Sequence, residues 1–324
     1  MRIALVGHGV MPIPPQGWGA VEILIWEYAQ RLRERGIEVE IVNVPHRVAV
    51  KEFARLRREG KKFDWIWCHN ERAVPYLARA KWVHGARLVS TCHTPMTDLH
   101  PTERFDHARP LRKAARAPYQ LTLIEEAGLM FKTLNLDAKI AHLPNGVDTN
   151  GFRFDPGGGN GRALCLGAIQ PRKRQRRLAD LADAYGLPID FAGPTKDDVA
   201  PEDRIDGRPN YLGPWDRETV KDRLTEYSAL VLWSASEVQA LVVVEAMAAG
   251  LNVVVSPESA NNLDLSQPFL RAADTPEQVA GGIRDMIAAN PLHRPQIRAH
   301  AEQEWDWGRM TDRVLAQLQE WEAA

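Results

Sequence analysis

The run IALVG at residues 3–7 does most to limit what this chain can become. Four apolar residues closed by a glycine suit a strand buried on both faces and are too few for a helix. A Pro/Gly-rich loop, MPIPPQGWGA, follows, and then VEILIWEYAQRLRERG. There Ile23, Trp26 and Leu32 recur at near-helical spacing and Gly36 marks a stop. IEVEIVNV (37–44) reads as a second strand, with further candidates at FDWIWC (63–68), ARLVSTC (86–92), YQLTLI (119–124) and AKIAHL (138–143). Strands alternating with helices make βαβ units and a parallel, doubly wound sheet.

The pattern then restarts. After the turn-rich NGVDTNGFRFDPGGGNG come ALCLG (163–167), a basic helix, PIDFAG (188–193), NYLG (210–213), ALVLWS (229–234) and LNVVVS (251–256). Helical segments near 276–289 and 296–320 close the chain. The expected fold is α/β, with two Rossmann-like doubly wound parallel-sheet domains facing a cleft, and a length of 324 residues suits two domains. We expect a first domain over 1–148, a linker around 147–161, a second domain over 149–305, and a C-terminal helix over 306–324 packing back toward the first domain.

Three widely spaced cysteines, Cys68, Cys92 and Cys165, argue for reduced thiols rather than a disulfide framework. The start MRIALVGHG lacks a long apolar signal region, and no stretch reaches 18 apolar residues. A cytoplasmic protein is therefore expected, or one peripheral at the inner face of a membrane. Residues 1–150 hold 22 Lys and Arg against 16 Asp and Glu, and the remainder 19 against 26. A basic first half could favour an anionic acceptor or membrane surface, or reflect uneven scatter of solvated charge. An overall charge of -1 gives little attraction for nucleic acid.

Ligands of open α/β sheets bind beyond the carboxyl ends of the strands. His8, His69 and His93 fall there in the first half, and His93, in TCHTP, is the one expected to act chemically. The Cys-His pairs at 68–69 and 92–93 raise a zinc site, but neighbours on a strand point to opposite faces and zinc needs four convergent ligands. GHGVMP lacks the third glycine of the dinucleotide fingerprint, and no acid ends the second strand, which disfavours NAD. In QGWGAVE, Gly17 and Gly19 allow close approach of backbone to a ligand. In LGAIQPRKRQRR, Arg172, Lys173, Arg174, Arg176 and Arg177 stand at a helix start, where cations oppose the macrodipole unless an anion is bound. In SASEVQALVVVEAMAAG, Glu237 precedes an apolar helix, roughly Ala240 to Ala249, and Glu245 lies within it. The helix's first N–H groups could cradle a phosphate; on the structural reading Glu237 is exposed and Glu245 pairs with a buried arginine.

Taken in order, GWGAVE, LPNGVD (143–148), the Gly-x-x-x-Pro-x-Lys run at 167–173 and Glu-x7-Glu followed by AMAAG resemble the retaining glycosyltransferases of family 4, whose two-Rossmann fold is called GT-B. The resemblance covers nearly the whole chain. It implies no cofactor and no metal, a nucleotide diphosphate sugar as donor, and an acceptor glycan, lipid-linked sugar or small molecule. By position, it implies that Glu245 holds the ribose and that the Leu241 and Val242 N–H groups with Lys173 bind the diphosphate. Gly17, Gly19 and Ala20 would close over the phosphates, Glu237 would hold the donor sugar, and His93 would stand beside its reactive carbon. The sequence departs from the family at Gly19-Ala20, at Val238-Gln239, and at Ala168, where an arginine is usual and Arg172 or Arg174 would have to substitute. A GT-B epimerase and a nucleotide-sugar-binding protein without turnover are the alternatives. The basic segments 47–62 and 103–119, the latter with Arg109, Arg112, Lys113 and Arg116, suit an anionic lipid or lipid diphosphate, or a solvated rim.

Overall fold

The computed structural model describes residues 1–15, 19–94, 108–196 and 198–324. The chain forms two compact units. Among the described residues the first holds residues up to Asn145 together with Trp307–Ala324, and the second holds Gly146–Asp306.

The first unit is a six-stranded parallel sheet of β1 (Arg2–Val6), β2 (Glu38–Val42), β3 (Trp65–Cys68), β4 (Arg87–Ser90), β5 (Tyr119–Thr122) and β6 (Lys139–His142). Their spatial order is β2-β1-β3-β4-β5-β6. Its helices are α1 (Ala20–Glu34), α2 (Ala49–Arg58), α3 (Val74–Arg79), α4 (Lys81–His84), α5 (Ala108–Ala114) and α6 (Glu125–Leu134). β3 is buried along its whole length, as its WIWC sequence requires of a strand covered on both faces. In α1 the buried positions are Leu24, Ile25, Tyr28, Ala29 and Leu32, so the apolar face lies beside the expected Ile23–Trp26 line. Both lines are apolar at helical spacing, and only packing on the sheet chooses between them.

The second unit has five parallel strands, β7 (Ala163–Leu166), β8 (Ile189–Ala192), β9 (Ala229–Leu232), β10 (Asn252–Val255) and β11 (Leu270–Ala272), in the order β11-β10-β9-β7-β8. Its helices are α7 (Gln175–Tyr185), α8 (Arg217–Arg223), α9 (Leu241–Ala248) and α10 (Pro276–Trp305). α11 (Trp307–Ala323) belongs to the first unit, where Trp307 meets Tyr28 at 4.7 Å between ring centroids and Trp65 Nε1 donates to Glu322 Oε1 at 2.9 Å.

Four expectations need correction. NYLG makes only an isolated bridge, Phe191 to Tyr211, at the edge of the sheet, and β11 was not foreseen. The basic run at 171–177 is not one helix start: Pro171–Lys173 form a 3-10 turn, Arg174 is left-handed at φ 52°, and α7 begins at Gln175. Residues 147–161, expected as the linker, belong to the second unit, with Phe152 in the core and the Asp155 carbonyl held by Arg294. α10 runs unbroken past Pro291 and Pro295 to Trp305. Inside it, fully buried Arg294 donates to the carbonyls of Asp155, Thr225, Tyr227 and Ala249, anchoring the stretch that two prolines would otherwise weaken.

Candidate functional site

Both sheets reverse direction beside their first strand. β1 lies between β2 and β3, and β7 between β8 and β9, so each unit has a switch-point crevice at the carboxyl ends of those strands. The candidate site residues gather in these two places.

In the second unit the loop after β7 meets the loop after β9. Gly167 ends β7 at φ 148°, and a Cβ there would lie 2.9 Å from Lys173 Nζ. The glycine thus lets the ammonium fold over the strand end. The Arg172 carbonyl accepts from the Ala235 N–H at 2.7 Å and from Ser234 Oγ at 3.2 Å, and its guanidinium donates to the Ser236 carbonyl. Asn261 Nδ2 donates to the Glu237 and Val238 carbonyls at 2.9 and 3.0 Å, which fixes the loop's other side. Held this way, Glu237 Oε1 lies 3.0 Å from Arg172 Nη1 and 3.7 Å from Lys173 Nζ, its side chain only 11% exposed. Oε1 has no aligned hydrogen bond, so charge attraction holds it. Burial alone would raise the Glu237 pKa; Lys173 and Arg172 outweigh burial and hold the carboxyl below its ordinary range. Glu237 is therefore a paired, ionised carboxylate, contrary to the reading that left it exposed.

Four residues on, α9 starts. Its N-cap, Ala240, offers no capping side chain. The Val243 N–H reaches the Ala240 carbonyl at 3.0 Å, and among the described residues neither the Leu241 nor the Val242 N–H has a partner. Both residues are partly exposed, so two donors at the positive end of the helix face outward. One turn along, buried Glu245 pairs through Oε1 with Arg217 Nη1 at 2.5 Å. Oε2 carries no hydrogen bond to a described residue. No sequence signal joins these two: Arg217 begins α8, 28 residues away. Arg174 does not take the place left by Ala168. Its guanidinium stands 5.8 Å from the Trp233 ring centroid, beside Arg177 at 4.7 Å. Of the basic run, only Arg172 and Lys173 converge on the carboxylate.

In the first unit the crevice holds rings. His69 Nδ1 and His93 Nε2 are hydrogen-bonded at 3.0 Å, with the rings stacked at 5.3 Å and 20°. Trp67 and Tyr28 lie 4.8 and 6.5 Å from the His69 ring. His8 Nε2 stands 3.8 Å from Glu71 Oε2, and Thr94 Oγ1 donates to Glu71 Oε1 at 3.2 Å. Burial, then the charges of neighbouring histidines, keeps His69 far below the usual histidine range. Burial and His8 bring His93 down to about 4. His69 Nε2 is buried without a partner. A bare lone pair is tolerated there better than an orphaned N–H, so His69 donates from Nδ1 and His93 accepts at Nε2, which puts the His93 proton on Nδ1. The sequence singled out His93 alone. Glu71 and the His69 pairing were missed, although all three histidines at strand ends were visible.

Gly19 (φ 138°) and Ala20 open α1 in the first unit, and a Cβ on Gly19 would meet Glu22 Oε2 at 3.1 Å. Gly17 lies outside the described residues. Among the described residues no three of His, Cys, Asp and Glu form a metal-ligand group, and no helix is long and apolar enough to cross a membrane.

No protein-family model and no curated protein matches the chain. Solved structures do. Sucrose-phosphate synthase from Thermosynechococcus elongatus aligns over 100% of this chain and 99% of its own with TM-score 0.78 at 15% identity. Anabaena HepE in complex with UDP-glucose aligns over 99% and 100% with TM-score 0.70 at 19% identity. AviGT4, a glycosyltransferase involved in avilamycin A biosynthesis, aligns over 100% and 98% with TM-score 0.69 at 18% identity. At these identities it is the fold that is shared: two parallel-sheet α/β units, the fold called GT-B.

Proposed function

We propose that this protein is a glycosyltransferase that moves a sugar from a nucleotide diphosphate sugar to an acceptor hydroxyl, with retention and without a metal ion. The observation that carries the reading is the second-unit crevice. Two cations flank an ionised carboxylate four residues before a helix whose first two N–H groups are free. Each group matches a part of such a donor. The Leu241 and Val242 N–H groups and Lys173, with Arg172, take the diphosphate. Glu245 takes the ribose hydroxyls through Oε2, while Arg217 fixes its other oxygen. Glu237, ionised, accepts from hydroxyls of the donor sugar.

When the anomeric C–O bond breaks, its electron pair goes to the phosphate oxygen, and negative charge grows where Lys173 and the α9 N–H groups stand. Preorganised donors of this kind lower the barrier because they need not reorient. The acceptor hydroxyl attacks the same face and its proton passes to the departing phosphate. His93 would contribute its neutral Nδ1–H to the transfer step. UDP is preferred over GDP as the donor's nucleotide because HepE, a fold neighbour, is solved with UDP-glucose.

A binding protein without turnover is the second reading, favoured by Ala168 and by the Arg174 side chain stacked on Trp233. A melting-temperature panel of UDP, GDP and their sugars in EDTA tests the donor site. Saturating UDP, at about a hundred times its Kd, should add about 2.7 kcal/mol, a shift of several degrees. The absence of a shift with any nucleoside diphosphate would sink the proposal. Sugar transfer separates the enzyme from the binding protein, and UDP release without acceptor would mark an epimerase.

A further inference from the structure

The first unit carries a second feature that the donor site does not use. A pocket of about 480 Å³ opens among the residues after β2 and β3 and helices α3 and α5. Its lining includes six cations: Arg72, Arg79, Arg109, Arg112, Lys113 and Arg116. Three of them, Arg109, Arg112 and Lys113, lie on α5, and Arg116 stands in the turn that follows it. Positions 109, 112 and 113 follow i, i+3, i+4, while Leu111, Ala114 and Ala115 are buried on the other side. Arg72 precedes α3, Arg79 is its last residue, and both are exposed.

Five of the six charges have no acidic partner among the described residues. No acidic residue lines the pocket, and Arg72, Arg79, Arg109, Lys113 and Arg116 have no ion pair with any described residue. Two other clusters of the protein pair their cations. A smaller pocket of about 250 Å³ sets Arg2 and Lys61 against Glu38 and Glu40, and Arg208 lies between Asp180 and Asp183. Like charges at i,i+3 and i,i+4 destabilise a helix, so the α5 face costs stability until an anion neutralises it. Burial, followed by the charges of Arg47, Arg72 and Lys113, holds His46 in this pocket below its usual range, a local sign of the same positive potential. His46 also meets the half-exposed Tyr76 ring at 5.9 Å. The volume suits a small ligand rather than a lone ion, and arginine forks match phosphate oxygens in pairs.

We propose that this pocket binds the phosphate group of a phosphorylated ligand, a phosphomonoester or diphosphate, with Arg79 and Arg116 among its contacts. In the transferase reading that ligand is the acceptor; this last identification rests on that reading, and the site itself does not. A soluble ester and a lipid headgroup both carry such a phosphate, and the test separates them.

Calorimetry of the full chain with inorganic pyrophosphate measures the soluble form. Sedimentation with phosphatidylcholine vesicles, with and without phosphatidylglycerol, measures the lipid form. Arg79→Glu/Arg116→Glu should weaken the form that binds by at least about tenfold, and Arg79→Lys/Arg116→Lys should retain most of it. Lys173→Ala should leave it in place, which separates this pocket from the donor site. The ligand-free charge-reversal variant should melt no lower than the parent, because it relieves repulsion. Pyrophosphate binding without vesicle binding assigns a soluble ester; phosphatidylglycerol-dependent sedimentation lost in the variant assigns a headgroup. Binding of neither probe, or binding that the reversal leaves unchanged, overturns the site. UDP binding should be the same in the parent and both pocket variants. If UDP fails to bind while pyrophosphate does, the transferase reading falls and the pocket stands.

Discussion

The two switch-point crevices share a topology and differ in chemistry. Each lies beside the first strand of its sheet, with the second strand on one side and the third on the other. In the first unit the crevice is packed with imidazole and aromatic rings. In the second it holds Arg172, Lys173 and Glu237. Burial acts on both, with opposite consequences. It drives the proton off His69 and His93, and Glu71 nearby is too weak an influence to restore it on His93, so those rings stay neutral. Around Glu237 it favours the protonated acid, and two cations within 4 Å reverse the outcome. The backbone supplies the crevice; the partners of each side chain decide whether it carries charge.

The largest expected effect breaks the second crevice at its backbone. A Cβ on Gly193 would lie 2.1 Å from the Gly167 carbonyl oxygen, and φ there is 141°. Neither the strain nor the clash can be relieved by a flexible side chain. Gly193→Ala should cost about 3 kcal/mol or more, and by pushing β8 from β7 it should displace the Lys173 loop and weaken UDP. Gly85 is the control from the first unit: φ is 70°, with nothing within 4 Å of a Cβ. Gly85→Ala should cost about 1–2 kcal/mol. Denaturant melts giving equal losses for the two would show that close approach of β7 and β8 does not shape the site.

Acid should separate the crevices next. The folded pKa of His93 is about 4 against an ordinary 6.5, and His69 is depressed too. The unfolded chain then takes up protons first, so this stability is complete above pH 6.5 and lost as pH falls toward 4. For His93 alone the loss is about 3 kcal/mol. Glu237, held below its ordinary 4.5, loses its contribution only at lower pH. Unfolding free energies from pH 7 to 4.5 should therefore fall steeply in the parent and much less in His69→Phe/His93→Phe. An equal slope in both would remove the neutral stack from the account.

Much of this was legible in the sequence for a physical reason. Parallel strands buried on both faces must be short apolar runs, so IALVG, WIWC, ALCLG and LNVVV announce themselves, and the ligand loops follow their ends. α9 was readable because its apolar face ends at Gly250. The misses share a different cause. Proline argues locally for a break in α10, and nothing local shows that Arg294 will brace the helix from inside. Arg174 looks like its neighbours until Trp233 offers it a ring. The partners of Glu245 and His93 are distant in sequence, so the residues were nameable and their pairing was not. The basic pocket falls between: its α5 face is a visible stripe, while Arg72 and Arg79 join it only through the fold.

The smallest effect concerns Arg217, and it asks whether the second crevice is an ion-pair network or a nucleotide site. Glu245 gives Oε1 to Arg217 and leaves Oε2 without a described partner. If the pair is structural only, Glu245→Gln and Arg217→Met should both lower stability and leave UDP affinity alone. In the donor-site reading Arg217 is a positioning residue. It holds the carboxylate so that Oε2 points outward, and also rests against Phe152, 5.0 Å from the ring centroid. Glu245→Ala then removes the ribose contact, weakening UDP by about 1–3 kcal/mol. Arg217→Met only loosens its aim, costing about 1 kcal/mol, or fivefold in Kd. In the double variant the arginine has nothing left to position, so UDP binding should be no weaker than in Glu245→Ala alone. Additive losses in Kd would place Arg217 on the nucleotide itself. A loss confined to melting temperature would return Glu245 to the role of a buried ion-pair partner.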